Sequence, residues 1–284
     1  MKRKLYRFPD IEVTEEISEE IIPWTPDRSR DWGNNTKTHF YHIPKTGGRS
    51  IVAAFARLIY PDLTHKEAYR NANKMQRTLK QEFISCAMPD FGEWFFTYGH
   101  STYKDINLEI RLIGTHDGEP IGSTGLNPKC FTFTSLRDPF DRLFSLYKEY
   151  MHELDKFELG EIDRISIQEL TPESQHDIQT HKKMTLKDFA RNSPDKITLE
   201  QLYYFSEKLD LDTAIKNIES LSAIVICENN KKGIEAISNH IGHKLEIGDR
   251  FSRGSNRPKD KDVQELLEQE YLFYNTILQK LTNE

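Results

Sequence analysis

Cysteine is scarce in this chain: Cys86, Cys130 and Cys227 are the three among 284 residues. They lie far apart, are odd in number and lack metal-ligand spacing. That argues against a disulfide scaffold and fits a reducing compartment. Long apolar runs are also missing, and no stretch approaches the roughly 20 residues a membrane-spanning helix needs. The basic start MKRKLYRFPD leads into acidic sequence where a signal peptide would turn apolar. The expectation is a cytoplasmic protein that engages no membrane.

Positive charge is not in excess either. With 39 Lys and Arg against 45 Asp and Glu, the net charge is -6, so the molecule as a whole attracts neither nucleic acid nor anionic lipid. Any anionic ligand must be met by cations gathered locally. There is no Gly/Ser/Pro-rich linker and no internal repeat, which favours one large domain over two small ones. What remains is 37% hydrophobic residues, enough for a core, and 30% charged residues, with a mean hydropathy of -0.68.

Residues 1–37 read as a polar, acid-rich N-terminal arm, in which VTEEISEEIIP is at most a short helix stopped by Pro23. Ordered sequence is expected from THFYHI, a run of aromatic and β-branched residues suited to a strand. After HIPKTGG, the residues Ile51, Phe55, Leu58 and Ile59 recur at helical spacing until Pro61. EWFFTYGHSTY reads as a second strand running out into a loop at Gly99 and His100.

CFTFTSLRDPFDRLFSLYKEYMHEL is the clearest strand–turn–helix. Thr132 and Thr134 alternate with Phe131 and Phe133, Asp138 suits an N-cap and Pro139 the first helical position. Phe140, Leu143, Phe144, Tyr147 and Met151 form the expected buried stripe, with Asp138, Asp141, Arg142 and Ser145 on an opposite polar face. Residues 152–200 are hydrophilic and weakly periodic, a cover of helices and loops. A helix near LDTAIKNIESL, a strand SAIVIC and a helix near KKGIEAISNHIG follow. The basic loop DRFSRGSNRP and one closing amphipathic helix over KDVQELLEQEYLFYNTILQKL complete the chain. Strands alternating with helices predict an α/β fold, a mainly parallel sheet covered on both faces.

Two strand-to-helix turns carry the chemistry. In HIPKTGGRSI, Gly47 and Gly48 let the backbone approach an anion at a helix N-terminus, Lys45 adds a charge, and Thr46 and Ser50 add hydroxyls. A tight turn with an exposed lysine would carry the same residues. The pattern is not a Walker A loop, because Lys45 precedes the glycines. In SLRDPFDRLFSLY, Arg137 ends its strand and Ser145 lies two turns into the helix, a pair able to clamp a second phosphate. Arg137 paired with a nearby acid is the plainer alternative. Two such elements suggest a ligand with two separated phosphates.

These stretches resemble the sulfotransferases that use 3'-phosphoadenosine 5'-phosphosulfate (PAPS) as donor. HIPKTGGRSI is similar to their 5'-phosphosulfate loop and SLRDPFDRLFSLY to their 3'-phosphate segment, including the Arg-to-Ser spacing. YGHSTY resembles the Gly-His segment of the heparan sulfate 2-O-sulfotransferase-like branch, and SAIVICENNKKGIEAISNHIG the later strand–Glu–helix; the likeness spans residues 38–280. It implies the sulfotransferase fold, with a P-loop-like parallel sheet, in a single domain over 38–284 with 152–200 as an acceptor-side cover. It implies a transferase releasing 3'-phosphoadenosine 5'-phosphate (PAP), with no metal required.

By the same resemblance, Lys45, Thr46, Gly47, Gly48, Arg49 and Ser50 hold the 5'-phosphosulfate, and Arg137 and Ser145 the 3'-phosphate. Arg250, Arg253 and Arg257 are candidates to close over the nucleotide. Lys45 stabilises the leaving phosphate and His100 is the base, with His42 as its competitor. Glu228 is either an orienting acid near the donor or a loop anchor, and Tyr103 a lining residue of the acceptor channel. Between Glu153 and Asp177 eight acids stand against two bases, suited to a neutral or cationic small-molecule acceptor rather than a sulfated glycan. A natural product such as a saxitoxin-type alkaloid is one such class. A P-loop nucleotide kinase or NTPase, and a non-catalytic nucleotide-binding protein, are the alternatives.

Overall fold

The computed structural model describes residues 38–59, 62, 64, 66–67, 112–115, 121, 131–161, 181–248 and 259–283. Strands β1 (Thr38–Tyr41), β2 (Leu112–Thr115), β3 (Phe131–Leu136) and β4 (Ala223–Ile226) form one sheet in the order β2-β1-β3-β4. Every pairing is parallel, and Tyr41 stands beside Thr115 on one side and Thr134 on the other. β1 is buried along its whole length, as a strand covered on both faces must be.

The two faces have different partners. Phe40 and Phe133 stack at 4.7 Å, and Phe55 of α1 (Gly48–Ile59) packs on Phe133 at 6.3 Å. On the opposite face, Tyr41, Leu136 and Ile226 join one apolar cluster with Leu202 and Phe205 of α5 (Glu200–Phe205). Ala214 and Ile218 of α6 (Leu211–Glu219) and Phe273 and Ile277 of α9 (Glu268–Asn283) belong to the same cluster. α7 (Lys231–Ile241) follows β4 and lays His240 on Phe131 at 4.2 Å.

Helix α2 (Pro139–Glu158) starts as its sequence dictates, with Pro139 in its first turn and the Asp138 side chain accepting from the Asp141 amide at 3.1 Å. Its buried stripe is turned relative to expectation. Phe140, Leu143, Leu146, Tyr150 and Leu154 are buried, whereas Phe144, Tyr147 and Met151 are half-buried on the margin of the same cluster. The cause is tertiary. α3 (Leu186–Asn192) sets Phe189 5.5 Å from Tyr150 and 5.6 Å from Tyr147, so α2 buries this face against α3. Residues 181–200, part of the segment 152–200 expected as a cover of helices and loops, contribute Phe189, Ala190 and Leu199 to that core.

The closing segment is two helices, not one. α8 (Lys261–Leu266) and α9 meet at Leu267. Val263 and Leu267 belong to the cluster around α2, while Phe273 and Ile277 belong to the one under the sheet. A break between them lets one amphipathic sequence serve two cores.

The polar face expected on α2 is not solvated. Arg142 is fully buried. Its Nη1 donates to Glu200 at 2.6 Å, its Nε to Glu270 at 3.1 Å, and its Nη2 to the carbonyls of Ile197 and Thr198 at 2.7 and 2.8 Å. Ile197 and Thr198 lie on α4 (Asp195–Thr198). One cation thus faces two buried carboxylates. Burial raises the Glu200 pKa to about 8; Arg142 opposes the shift and Glu270 adds to it. Burial likewise raises Glu270.

The native protein therefore keeps a proton that the unfolded chain releases, and this contribution to stability declines as pH rises from the ordinary carboxylate range toward 8. Urea unfolding of Glu200→Gln is expected to show a shallower loss of stability between pH 5 and 8 than the parent. Arg142→Met, which leaves two acids without their cation, is expected to cost about 3–5 kcal/mol at neutral pH in the same assay.

Candidate active site

The chain leaves β1 through α1 and next pairs at β2, on one side of β1; it leaves β3 on the other side and next pairs at β4. Adjacent parallel strands whose connections depart in opposite directions open a crevice at their carboxyl ends, the usual ligand position in such sheets. β1 and β3 are those strands. HIPKTGGRSI emerges from the first and SLRDPFDRLFSLY from the second.

The β1 turn is held open by its backbone. Lys45 has φ 67° and Gly47 φ 86°, and the left-handed value at Lys45 is uncommon for a residue with a side chain. Three contacts fix it. Arg137 Nη1 donates to the Lys45 carbonyl at 3.3 Å, the Cys227 thiol to the Thr46 carbonyl at 2.8 Å, and Thr46 Oγ1 to the Ile43 carbonyl at 2.7 Å. Thr46 Oγ1 also lies 2.8 Å from Ser135 Oγ. The Thr46 side chain is fully buried, so its hydroxyl is committed to the loop. Ser50 is half-buried at the start of α1, where the first N–H groups have no intrahelical partner.

Gly48 is required by a neighbour rather than by its own torsion. A Cβ there would lie 1.9 Å from His42 Nε2. His42 is buried, stacked on Phe40 at 5.0 Å, and so lies beneath the helix start. His39 is buried too, and burial lowers its pKa to about 3, which keeps it neutral.

Arg137 is held by its backbone. Gln201 Oε1 accepts from the Arg137 amide at 2.8 Å and Nε2 donates to the Arg137 carbonyl at 2.9 Å. Gln201 Nε2 also donates to Glu270 Oε1 at 2.9 Å, which ties this clamp to the Arg142 cluster. Next along the chain, the Asp138 amide donates to Glu228 Oε1 at 3.0 Å, and Tyr274 donates to Glu228 Oε2 at 2.9 Å. Glu228 is thus a loop anchor in this arrangement. The Asp138 carboxylate accepts from Lys259 at 2.6 Å and from Tyr271 at 3.2 Å.

Four cations collect at this edge. Lys45 Nζ lies 2.7 Å from Glu149 Oε2 and Arg49 Nη2 lies 3.2 Å from Glu149 Oε1, while Lys259 pairs with Asp138. Arg137 has no carboxylate partner among the described residues. Ser145, half-buried two turns into α2, has no hydrogen-bond partner there either. Such a set can take an anionic ligand with more than one charged group. Sequence reasoning missed Glu149, Gln201, Cys227 and Lys259. Only Glu149 carried a signal, since it lies one helical turn beyond Ser145.

His100, Tyr103, Arg250, Arg253 and Arg257 lie outside the described residues, as do the arm 1–37, the stretch EWFFTYGHSTY and the loop DRFSRGSNRP. Among the described residues, no cluster of His, Cys, Asp or Glu is fit to hold a metal ion and no helix is long and apolar enough to cross a membrane.

A family model described as the sulfotransferase family matches residues 34–243, nearly three-quarters of the chain and both strand–turn–helix segments. The chain belongs to the sulfotransferase family. No curated protein matches it. Sulfuryl transfer is the chemistry of that family, and the parallel sheet flanked by helices agrees with its α/β fold.

In this sulfotransferase the turn depends on the His42–Gly48 contact. Gly48→Ala is expected to destabilise the fold by about 1–3 kcal/mol through overpacking. Most of that cost should vanish in a His42→Ala background, as a double-mutant cycle by chemical denaturation would measure.

Proposed function

We propose that this sulfotransferase moves the sulfuryl group of PAPS to a hydroxyl or amine of a small-molecule acceptor, releasing PAP. The observation that carries the proposal is the Arg137 guanidinium against the Lys45 carbonyl at 3.3 Å. Both motifs thereby share one crevice at the switch point of the sheet. The residues fit such a donor. Lys45, Gly47, Gly48, Arg49 and Ser50 would hold the 5'-phosphosulfate, with Thr46 contributing through the backbone it secures. Arg137 and Ser145 would hold the 3'-phosphate, and Arg250, Arg253 and Arg257 would close over the nucleotide.

When bound, the donor supplies the sulfuryl group and a leaving phosphate oxygen on which charge grows, by analogy with phosphoryl transfer. Lys45 and the first N–H groups of α1 stabilise that charge, a preorganised electrostatic contribution at a helix N-terminus. His100 takes the acceptor proton, a task that suits imidazole near neutral pH. The burial of His42 beneath Gly48 favours His100 over it. The scheme needs no metal.

The domain is taken as residues 38–284, with 152–200 toward the acceptor. Within that segment Lys182 pairs with Asp155 at 2.9 Å and also with Glu158, which offsets part of the acidic run. The surplus of acids between Glu153 and Asp177 still argues for a neutral or cationic acceptor, a natural product of the saxitoxin type being one class.

The test is turnover. Incubation with PAPS and panels of small acceptors, without added metal and with chelator, is expected to yield products heavier by one SO3 in the mass spectrum; hydrolysis of nucleoside triphosphates with no sulfated product would overturn the proposal. Arg137→Ala is expected to weaken PAP binding by about 1.5–3 kcal/mol in calorimetry, the range for hydrogen bonds to charged groups. His100→Ala is expected to lose transfer while retaining PAP binding, and Lys45→Ala to lose more in kcat than in PAP affinity.

A further inference from the structure

The two cations of the β1 turn are already occupied. Glu149 divides its carboxylate between them, Oε2 on Lys45 at 2.7 Å and Oε1 on Arg49 at 3.2 Å. It reaches them from α2, one turn beyond Ser145 and on the same side of the helix. An acid carried on the helix of the 3'-phosphate segment thus spans the crevice and closes an ion pair on the loop assigned to the 5'-phosphosulfate. The Lys45 side chain is 17% exposed and that of Glu149 30%, so neither is a freely solvated surface charge.

We infer that Glu149 is a tethered counter-ion that competes with the donor's 5' end for Lys45 and Arg49. This rests on the donor assignment above. In the empty protein Glu149 neutralises the loop and restrains the long Lys45 side chain. A ligand bringing its own charge to Lys45 must displace the carboxylate, and the lost ion pair is subtracted from binding at the 5' end alone. Arg137 lies outside this competition, because among the described residues its guanidinium donates to the Lys45 carbonyl and to no acid. Glu149 therefore sets donor and product affinity without touching the 3'-phosphate position. Its pairing also presets Lys45 near the position the charge on the leaving oxygen requires.

The sign of the effect separates this role from a structural one. Loss of a merely structural contact weakens binding, whereas loss of a competitor tightens it. Calorimetry on the full chain should compare the parent, Glu149→Gln and Glu149→Ala with two probes, PAP and adenosine 3'-monophosphate. Both variants are expected to bind PAP about two- to fivefold more tightly, the scale of partly exposed ion pairs. Affinity for adenosine 3'-monophosphate is expected to stay unchanged. Unchanged or weakened PAP affinity in both variants would overturn the inference and leave the donor assignment standing. Equal tightening of both probes would also overturn it, since the effect would then not be local to the 5' end. Failure of PAP to bind even the parent would overturn the donor assignment and this inference together.

Discussion

A guanidinium without access to solvent organises this protein. Arg142 lies in the second turn of α2, and its hydrogen bonds reach α4, α5 and α9 at once. A buried cation cannot be left partly paired, because the desolvation it suffers must be offset by hydrogen bonds in place. The three helices are therefore bound to one geometry around it. That geometry extends to the site: Glu270, held by Arg142, accepts from Gln201, and Gln201 grips the amide and carbonyl of Arg137. The direction in which Arg137 leaves β3 is thus set by charges on the far side of the helix start.

The same cluster explains why this is not simply a stabilising device. Two ionised carboxylates around one cation would leave excess negative charge in a low-dielectric setting, and the rise of the Glu200 pKa to about 8 relieves it by keeping a proton there. Apolar residues of similar volume are often as stable as a buried ion cluster. What the cluster supplies is direction. Leucines would fill the space between α2, α5 and α9 without fixing the rotation of α5 that places Gln201 beneath Arg137. If Arg137 binds the donor as proposed, its rigidity lowers the ordering cost of binding.

Local signals in the sequence were legible, and contacts between distant residues were not. The glycines after β1, the Asp138–Pro139 start of α2 and the alternation in FTFTSL each act within a few residues, so they could be read directly. Arg142 was read only as part of a polar face opposite the apolar stripe, and its burial was not legible because its partners come 58 and 128 residues later. The rotation of the α2 stripe depends on Phe189, and the break at Leu267 on which core each half of the last segment meets. Gln201 has no motif at all. From the residues alone the two turns suggested a ligand with two separated phosphates, and only the family resemblance gave that ligand a chemical identity. The strand order that makes β1 and β3 neighbours is a tertiary fact.

An acidic protein that took the proposed polyanionic donor would face an electrostatic conflict, and the arrangement at the sheet edge resolves it locally. Lys45 and Arg49 share Glu149, and Lys259 has Asp138, so the crevice does not present its full positive charge to solvent. Cations left bare would repel one another and strain the loop, whose left-handed Lys45 is already unfavourable. Binding of the proposed donor would then exchange one set of ion pairs for another rather than neutralise an open field. An exchange of this kind has a smaller net Coulomb gain than contact with unpaired cations, and it is correspondingly less sensitive to salt. Under the proposed function, specificity would fall to the parts that are not exchanged: the backbone N–H groups at the start of α1, and Arg137, which among the described residues has no acid to give up.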